Sequence, residues 1–194
     1  EYFIGDYLQA EPDVLKQASI RLVYNITFLS AVSLVIFFFV YLVKGFHYQL
    51  IKDVVILVLF IGILFYIKKR KSIQLVCHLL VLISWANNNI NIYLFDDFNF
   101  FIALLTVINI LFAFHTLGSK AGLIYSICHF VPILLHALGK YSGFTVRNDH
   151  PQELAFVEAI VTICLVFFII VYLIYHYHQA FELAKSHIRK SVEE

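Results

Sequence analysis

The chain has 194 residues, of which 61% are hydrophobic and only 14% are charged. A soluble domain of this size carries about 25% charged residues, so the composition excludes a water-soluble globular protein and indicates a membrane protein. The net charge of +1, with a single basic tract at residues 68–71, excludes nucleic acid as a partner. The three cysteines are odd in number and lie in apolar segments, so no disulfide framework is expected.

Charge-free windows of 14 to 24 residues divide the chain into six candidate transmembrane helices. About 20 apolar residues cross the hydrocarbon core of a bilayer, and the shortest window reaches that length when residues 49–53 are included. The sequence therefore predicts an all-α fold, a polytopic bundle of six transmembrane helices. These helices are Ser19–Val43, Gln49–Ile67, Ser72–Phe95, Phe98–Leu117, Ala121–Gly139 and Glu153–Tyr175.

The distribution of basic residues predicts the orientation. Six crossings place both termini on one side, and Lys and Arg accumulate on cytoplasmic segments. Of the 14 basic residues, ten fall on the side of the termini and four on the other. Both termini are therefore predicted to be cytoplasmic. Residues 1–18 are then a cytoplasmic interfacial segment, residues 19–175 the transmembrane domain, and residues 176–194 the start of a cytoplasmic helix that leaves the last span.

The connections between the helices are short, with one exception. The turns at residues 44–48, 96–97 and 118–120 force neighbouring helices to run antiparallel. The exception is the outer loop at residues 140–152.

After the last predicted span, apolar residues recur at three- and four-residue steps in Phe181, Ala184 and Ile188. This stripe predicts an exit helix that dimerises as a parallel coiled coil and transmits a signal; the alternative is an ordinary amphipathic tail.

Polar side chains within the predicted spans indicate candidate sites, because an ionisable group at the bilayer centre costs about 2.5–3.5 kcal/mol. Four helices carry such side chains at a similar depth in their outer halves. These residues are Asp53, Trp85, Asn88, Asn91, His136 and Glu158. The inner halves are plainer, with only scattered polar residues.

Three interpretations of this outer cluster remain open. The first is a pocket for a small or lipophilic ligand. The second is a site for a zinc-like divalent metal held by His136, Glu158 and Asp53. In the third, the groups only hydrogen-bond between helices or reach outward to the interface. The sequence contains no HExxH, GxSxG, Walker or GxGxxG motif, so no residue is assigned a catalytic role.

The turn before the fifth predicted helix and the start of that helix, residues 117–125, have the sequence Leu-Gly-Ser-Lys-Ala-Gly-Leu-Ile-Tyr. This stretch resembles the G-x-[KR]-A-G-L-[IV]-[WY] pattern that is frequent at that place in the six-helix membrane input domains of bacterial sensor histidine kinases. Membrane-bound class III adenylyl cyclases share the architecture, which covers nearly all of the chain.

The resemblance implies a sensory domain of a two-component system in the inner membrane. Such a domain detects a ligand from the outer side or from the membrane, works as a homodimer among lipids, and controls a cytoplasmic histidine kinase. The alternatives are the regulatory domain of an adenylyl cyclase, a small transporter or channel, and, third, an intramembrane enzyme. Since the kinase core is absent and the chain begins at Glu1 without any Met, we expect a piece of a longer protein. His187 lacks the residues that follow a phosphoacceptor histidine.

Overall fold

The described part of the molecule is built of α-helices. The computed structural model describes residues 4–10, 12, 14–70, 72–94 and 100–142, and the single positions 167, 170, 171 and 175. Within these residues the fold is all-α, as predicted, and α2 to α5 are each long and apolar enough to cross a membrane. The helices are α1 Gly5–Ala10, α2 Val14–Lys44, α3 His47–Arg70, α4 Ile73–Leu94 and α5 Phe100–Tyr141.

The helix bounds differ from the predicted ones mainly at the start of the chain. α2 begins at Val14 rather than at Ser19, because Pro12 lies just before it and the following residues continue the helix without a break. The bounds of α3 and α4 agree with the prediction within a few residues. The sixth predicted helix, except for four single positions, the outer loop from residue 143 onward and the exit helix lie outside the described residues.

The chain divides into two compact units, residues 1–73 with 167–194 and residues 74–166. In the first unit, α2 and α3 pack against each other. Their connection is a glycine turn in which the Phe46 amide donates to the Tyr41 carbonyl at 3.0 Å. Gly45 has φ of 77°, so this is the Schellman ending of a helix, which requires a residue in the left-handed region. The turn predicted at residues 44–48 is confirmed.

In the second unit, α5 is a helical hairpin. Gly118 breaks it with φ of 84° and ψ of 176°. We call residues 100–117 the first arm and residues 119–141 the second arm. Gly122 and Phe114, four residues on either side of Gly118, lie so close that a Cβ on Gly122 would be 2.9 Å from the Phe114 Cα. The chain therefore doubles back at Gly118, which confirms the turn predicted at residues 118–120.

The outer surface of the second arm is apolar, whereas polar groups lie on its buried face. Leu123, Ile127 and Phe130 are more than half exposed. His129 and His136, seven residues apart and so on one face of the helix, retain only 3% and 7% of their accessible surface. Water-soluble proteins rarely expose contiguous apolar surface of this kind. The arrangement fits a helix that faces lipid.

Candidate functional site: a polar seam between α4 and α5

One face of α4 forms polar contacts with the first arm of α5. The Asn88 amide donates to the Thr106 hydroxyl at 3.2 Å, and both side chains are buried. The contacting pairs are Cys77–Thr116, Ser84–Asn109 and Asn88–Thr106. Because residue numbers rise along α4 while they fall along the first arm, these two helices run antiparallel.

An adjacent face of α4 forms a second row of polar contacts with the second arm. His78 Nδ1 and the Tyr125 hydroxyl share a hydrogen bond of 2.8 Å. The contacting pairs are His78–Tyr125, Trp85–Cys128 and Tyr93–Pro132. Here the residue numbers rise together, so α4 and the second arm are parallel. We call the two rows together the polar seam; its α4 members extend from Cys77 to Tyr93, about 24 Å along a helix.

A proline is the last member of the second row on the second arm. Pro132 has no amide hydrogen, so the carbonyl of Cys128, four residues earlier, has no donor within its own helix. The Trp85 indole Nε1–H donates to this carbonyl at 2.8 Å. In a bilayer a carbonyl without a donor costs several kcal/mol, about 2–7 by transfer measurements. Trp85 therefore compensates for a main-chain defect on the neighbouring helix.

Tyr93 of α4 contacts the second arm at the proline and one helical turn beyond it. Its hydroxyl donates to the Pro132 carbonyl at 2.6 Å, and its ring lies edge-to-face against the His136 ring, with centroids 5.8 Å apart. Within α4, the Asn89 amide donates to the Trp85 carbonyl at 2.8 Å. Two aromatic donors of α4 thus bind the second arm at the carbonyls of Cys128 and of Pro132 itself.

His129 lies next to this region with a fixed tautomer. Its Nδ1 is 2.8 Å from the Tyr125 carbonyl, and since a carbonyl only accepts, Nδ1 carries the proton. Nε2 then has a lone pair and is buried without a hydrogen-bond partner among the described residues. This is the chemistry of an acceptor or of a metal ligand. No group of three or more His, Cys, Asp or Glu side chains that could hold a metal occurs in the described part of the chain.

The residues predicted to form the outer cluster fall in different places. Trp85 and Asn88 belong to the polar seam, and His136 is buried beside Tyr93. Asn91, on the same helix, is half-buried. Asp53 belongs to the other unit, where it is 4% exposed and forms an ion pair with Lys52 at 3.3 Å.

Glu158 lies outside the described residues, as do Phe181, Ala184 and Ile188. The assignment of the outer cluster to a ligand or a metal therefore stays a prediction. Trp85 and Asn88 each donate a hydrogen bond to a neighbouring helix. This is the contact expected under the third interpretation of the cluster.

Sequence reasoning missed several members of the seam. The inner-half residues His78, Thr106 and Asn109 were expected to be scattered, yet each bonds to a neighbouring helix. Pro132 was not singled out, although a proline in the middle of a predicted span implies a carbonyl four residues earlier that needs a donor. That signal, a proline within the fifth predicted span, is present in the sequence, which does not show that Trp85 of the third span supplies the donor.

The chain was compared with protein-family models, curated proteins and solved structures. No protein-family model, curated protein or solved structure matches the chain. The functional proposal accordingly starts from the described contacts of α4 and α5.

Proposed function

We propose that the chain is a membrane-embedded sensory domain. In this proposal it detects a small or lipophilic ligand from the outer side or from the bilayer, and it passes a conformational change to a cytoplasmic histidine kinase through the helix that leaves the sixth span. The domain crosses the inner membrane six times with both termini in the cytoplasm. It acts as a homodimer joined by the exit-helix stripe of Phe181, Ala184 and Ile188.

The observation that carries this proposal is the polar seam. α4 is hydrogen-bonded on two faces to two arms that run in opposite directions, so a displacement of either arm is passed to α4. In hydrocarbon there is no water to replace a broken bond, and interhelical polar bonds contribute about 0.6–2 kcal/mol each. A set of such bonds holds discrete arrangements rather than a continuum, as a receptor that switches between states requires.

The same observation bears on the alternative of a transporter or channel. A permeation path needs polar residues along the whole depth of the membrane, and in the sequence they concentrate in the outer half. The polar seam follows most of the length of α4, so this argument against a transporter or channel no longer holds. Within the seam, however, the named donors and acceptors bond to one another, for example Asn88 to Thr106 and Asn109 to Ser84. Groups that satisfy each other across packed helices favour a coupling role over a permeation path.

The orientation is tested first. Alkaline phosphatase and green fluorescent protein fused before residue 1 or after residue 194 report the side of each terminus. We expect fluorescence and no phosphatase activity from both positions. Phosphatase activity at either end contradicts the six-span arrangement, because both termini would then not be cytoplasmic.

The signalling role is tested with the full-length protein in native membranes. The coding sequence beyond Glu194 is read first, where a kinase core is expected and a stop codon contradicts the proposal. Transfer of phosphate from labelled ATP is then compared for Asn88→Ala and for Leu82→Ala, a control on α4 whose side chain is 46% exposed. We expect Asn88→Ala to change basal phosphorylation at least about threefold and Leu82→Ala to leave it unchanged. Equal phosphorylation at equal membrane levels, or solute uptake by proteoliposomes, contradicts it.

A further inference from the structure

We infer that Pro132 is a hinge in the second arm of α5 and that Trp85 and Tyr93 of α4 are the latch that holds it closed. The inference goes beyond the proposed function, because it concerns the motion of the domain and holds whatever output the protein controls. It starts from the juxtaposition of a helix-breaking residue with two donors from one neighbouring helix. One donor binds the carbonyl that the proline frees, and the other binds the carbonyl of the proline.

The first step is the mechanical weakness of the second arm at Pro132. A helix bends most easily where the i to i−4 hydrogen bond is missing, and proline is the commonest cause of such a bend. The bond that is missing here is the one to the Cys128 carbonyl. In membrane helices a neighbouring helix can satisfy the freed carbonyl, and the Trp85 indole does so at 2.8 Å.

The second step is the contrast between the two sides of the proline. Before it, the arm is held by the contact of Gly122 with Phe114 and by the bond between Tyr125 and His78. After it, most side chains of residues 133–139 face outward. Leu134, Leu135 and Leu138 are 44%, 57% and 53% exposed, and His136 is the buried member. Outward-facing side chains are equally common before the proline, so the contrast lies in the anchoring contacts. Before the proline the arm is bound both to the first arm and to α4, whereas beyond it the arm is anchored by the contact between the His136 and Tyr93 rings.

The third step is that the latch lies at the surface of the unit. The Trp85 and Tyr93 bonds to the second arm are both at exposed positions, and Tyr93 itself is 37% exposed. The bonds can open without unpacking the buried contacts of α4 with the first arm. Opening releases residues 133–141, whereas the hairpin and the first row of the seam remain in place.

Distance measurements by double electron–electron resonance on residues 1–194 in lipid nanodiscs test the hinge. The three native cysteines are replaced by alanine, which keeps the carbonyl of residue 128. In one sample, spin labels are placed at two exposed positions, 75 on α4 and 138 on the part of the second arm beyond the hinge. In a second sample they are placed at 75 and at 123, which lies on the part of the second arm before the hinge. Trp85→Phe keeps an aromatic ring and removes only the donor.

We expect Trp85→Phe to widen the 75–138 distance distribution about twofold, since it leaves the freed carbonyl without a donor, and to leave the 75–123 distribution unchanged. Adding Pro132→Ala restores a main-chain donor to the carbonyl of residue 128, so the double variant is expected to return to the narrow distribution. An unchanged 75–138 distribution in Trp85→Phe overturns the inference. Equal widening of both pairs, or no recovery with Pro132→Ala, also overturns it, because the indole would then serve only packing.

A second pair of variants decides the matter if Trp85→Phe or Pro132→Ala fails to accumulate in the membrane. Tyr93→Phe removes the other donor of the latch, and Tyr66→Phe on α3 is the matched loss of a hydroxyl outside the seam. Widening of the 75–138 distribution by Tyr93→Phe and not by Tyr66→Phe supports the latch. Identical distributions in these two variants overturn it.

Discussion

The pair α2–α3 and the pair α4–α5 share one use of polar residues, because hydroxyls in both, such as those of Thr116 and Ser126 in α5, bond within their own helix. The polar seam of α4 and α5 adds bonds between helices. In α2, the Thr27 and Ser33 hydroxyls donate to carbonyls four residues earlier in their own helix, at 2.7 and 2.9 Å. In the seam, the side chains of Asn88 and Trp85 donate to a neighbouring helix. A hydroxyl bonded within its own helix satisfies itself and binds no partner. A group bonded across helices fixes their register.

The turn between α2 and α3 and the turn within α5 differ in how closely the helices approach after them. Gly45 and Gly118 both have positive φ, yet a Cβ on either would meet nothing within 4 Å. Gly122, four residues after the second turn, has the Phe114 main chain against it. The α5 hairpin therefore closes at backbone contact, as small residues allow in membrane helix pairs. From this difference we expect substitutions in the second unit to be more costly than matched ones in the first.

The largest effect is expected at Gly122. Gly122→Ala places a methyl group 2.5 Å from two ring atoms of Phe114 and 2.9 Å from its Cα, so the arms must separate. We expect a loss of about 1–3 kcal/mol, measured as the unfolding midpoint in mixed micelles. Gly62→Ala in α3, where nothing lies within 4 Å, is the control and is expected to be neutral or slightly stabilising. Equal stability of the two variants would show that the close approach of Gly122 to Phe114 does not make the second unit more sensitive to substitution.

The next largest effect is expected at Gly118. Gly118→Ala keeps the space but forces an L-residue to φ of 84° and ψ of 176°, a region that is essentially restricted to glycine, at a cost of about 2 kcal/mol. Gly45→Ala, at φ of 77° in the Schellman turn of the first unit, enters the left-handed helical region and costs about 1 kcal/mol. We therefore expect Gly118→Ala to lose more stability than Gly45→Ala in the same unfolding assay. Equal losses would show that the hairpin turn relaxes to accept a side chain.

The fold was predictable from the sequence to the extent that it depends on apolar length and on turns. The spacing of charges located α3 and α4 within a few residues, and Gly118 marked the reversal in α5. The partners of the polar residues were not predictable in this way. Asn88 was assigned to an outer cluster and its partner Thr106 to the plainer inner half, although the predicted bounds put them at similar depths, seven and eight residues from the outer ends of their spans. Even a correct depth does not give the rotation of a helix about its axis, which decides its partners.

Prediction of the candidate site was limited for the same reason. The sequence pattern favoured Trp85 as a pocket residue, and its indole instead binds the carbonyl of Cys128. A main-chain acceptor carries no signal in its own side chain; the signal is Pro132, four residues later. A proline in a predicted span implies that the carbonyl four residues earlier, here that of Cys128, needs a donor, but only the structure identifies Trp85 as that donor.

A smaller effect, specific to the interhelical bonds, is expected from a double-mutant cycle on Asn88 and Thr106. The variants Asn88→Leu and Thr106→Val each leave one buried polar group without its partner, and the double variant removes both. We expect a coupling energy of about 0.6–1.7 kcal/mol, the range for polar pairs between membrane helices. The unfolding midpoints of the four proteins give this value. Strict additivity would mean that the 3.2 Å contact contributes nothing to the register of α4.

The smallest effect is expected from Thr27→Val, which sharpens the comparison because Thr106→Val is the same change at an equally buried site. Thr27 is 0% exposed and Thr106 is 6% exposed. The carbonyl of Val23 that accepts from Thr27 also accepts from the main chain of α2, so losing the hydroxyl leaves no group unsatisfied. We expect a change below about 0.5 kcal/mol for Thr27→Val and a clearly larger loss for Thr106→Val, which deprives Asn88 of its acceptor. If both variants unfold at the same midpoint, interhelical bonding is not what distinguishes the two units.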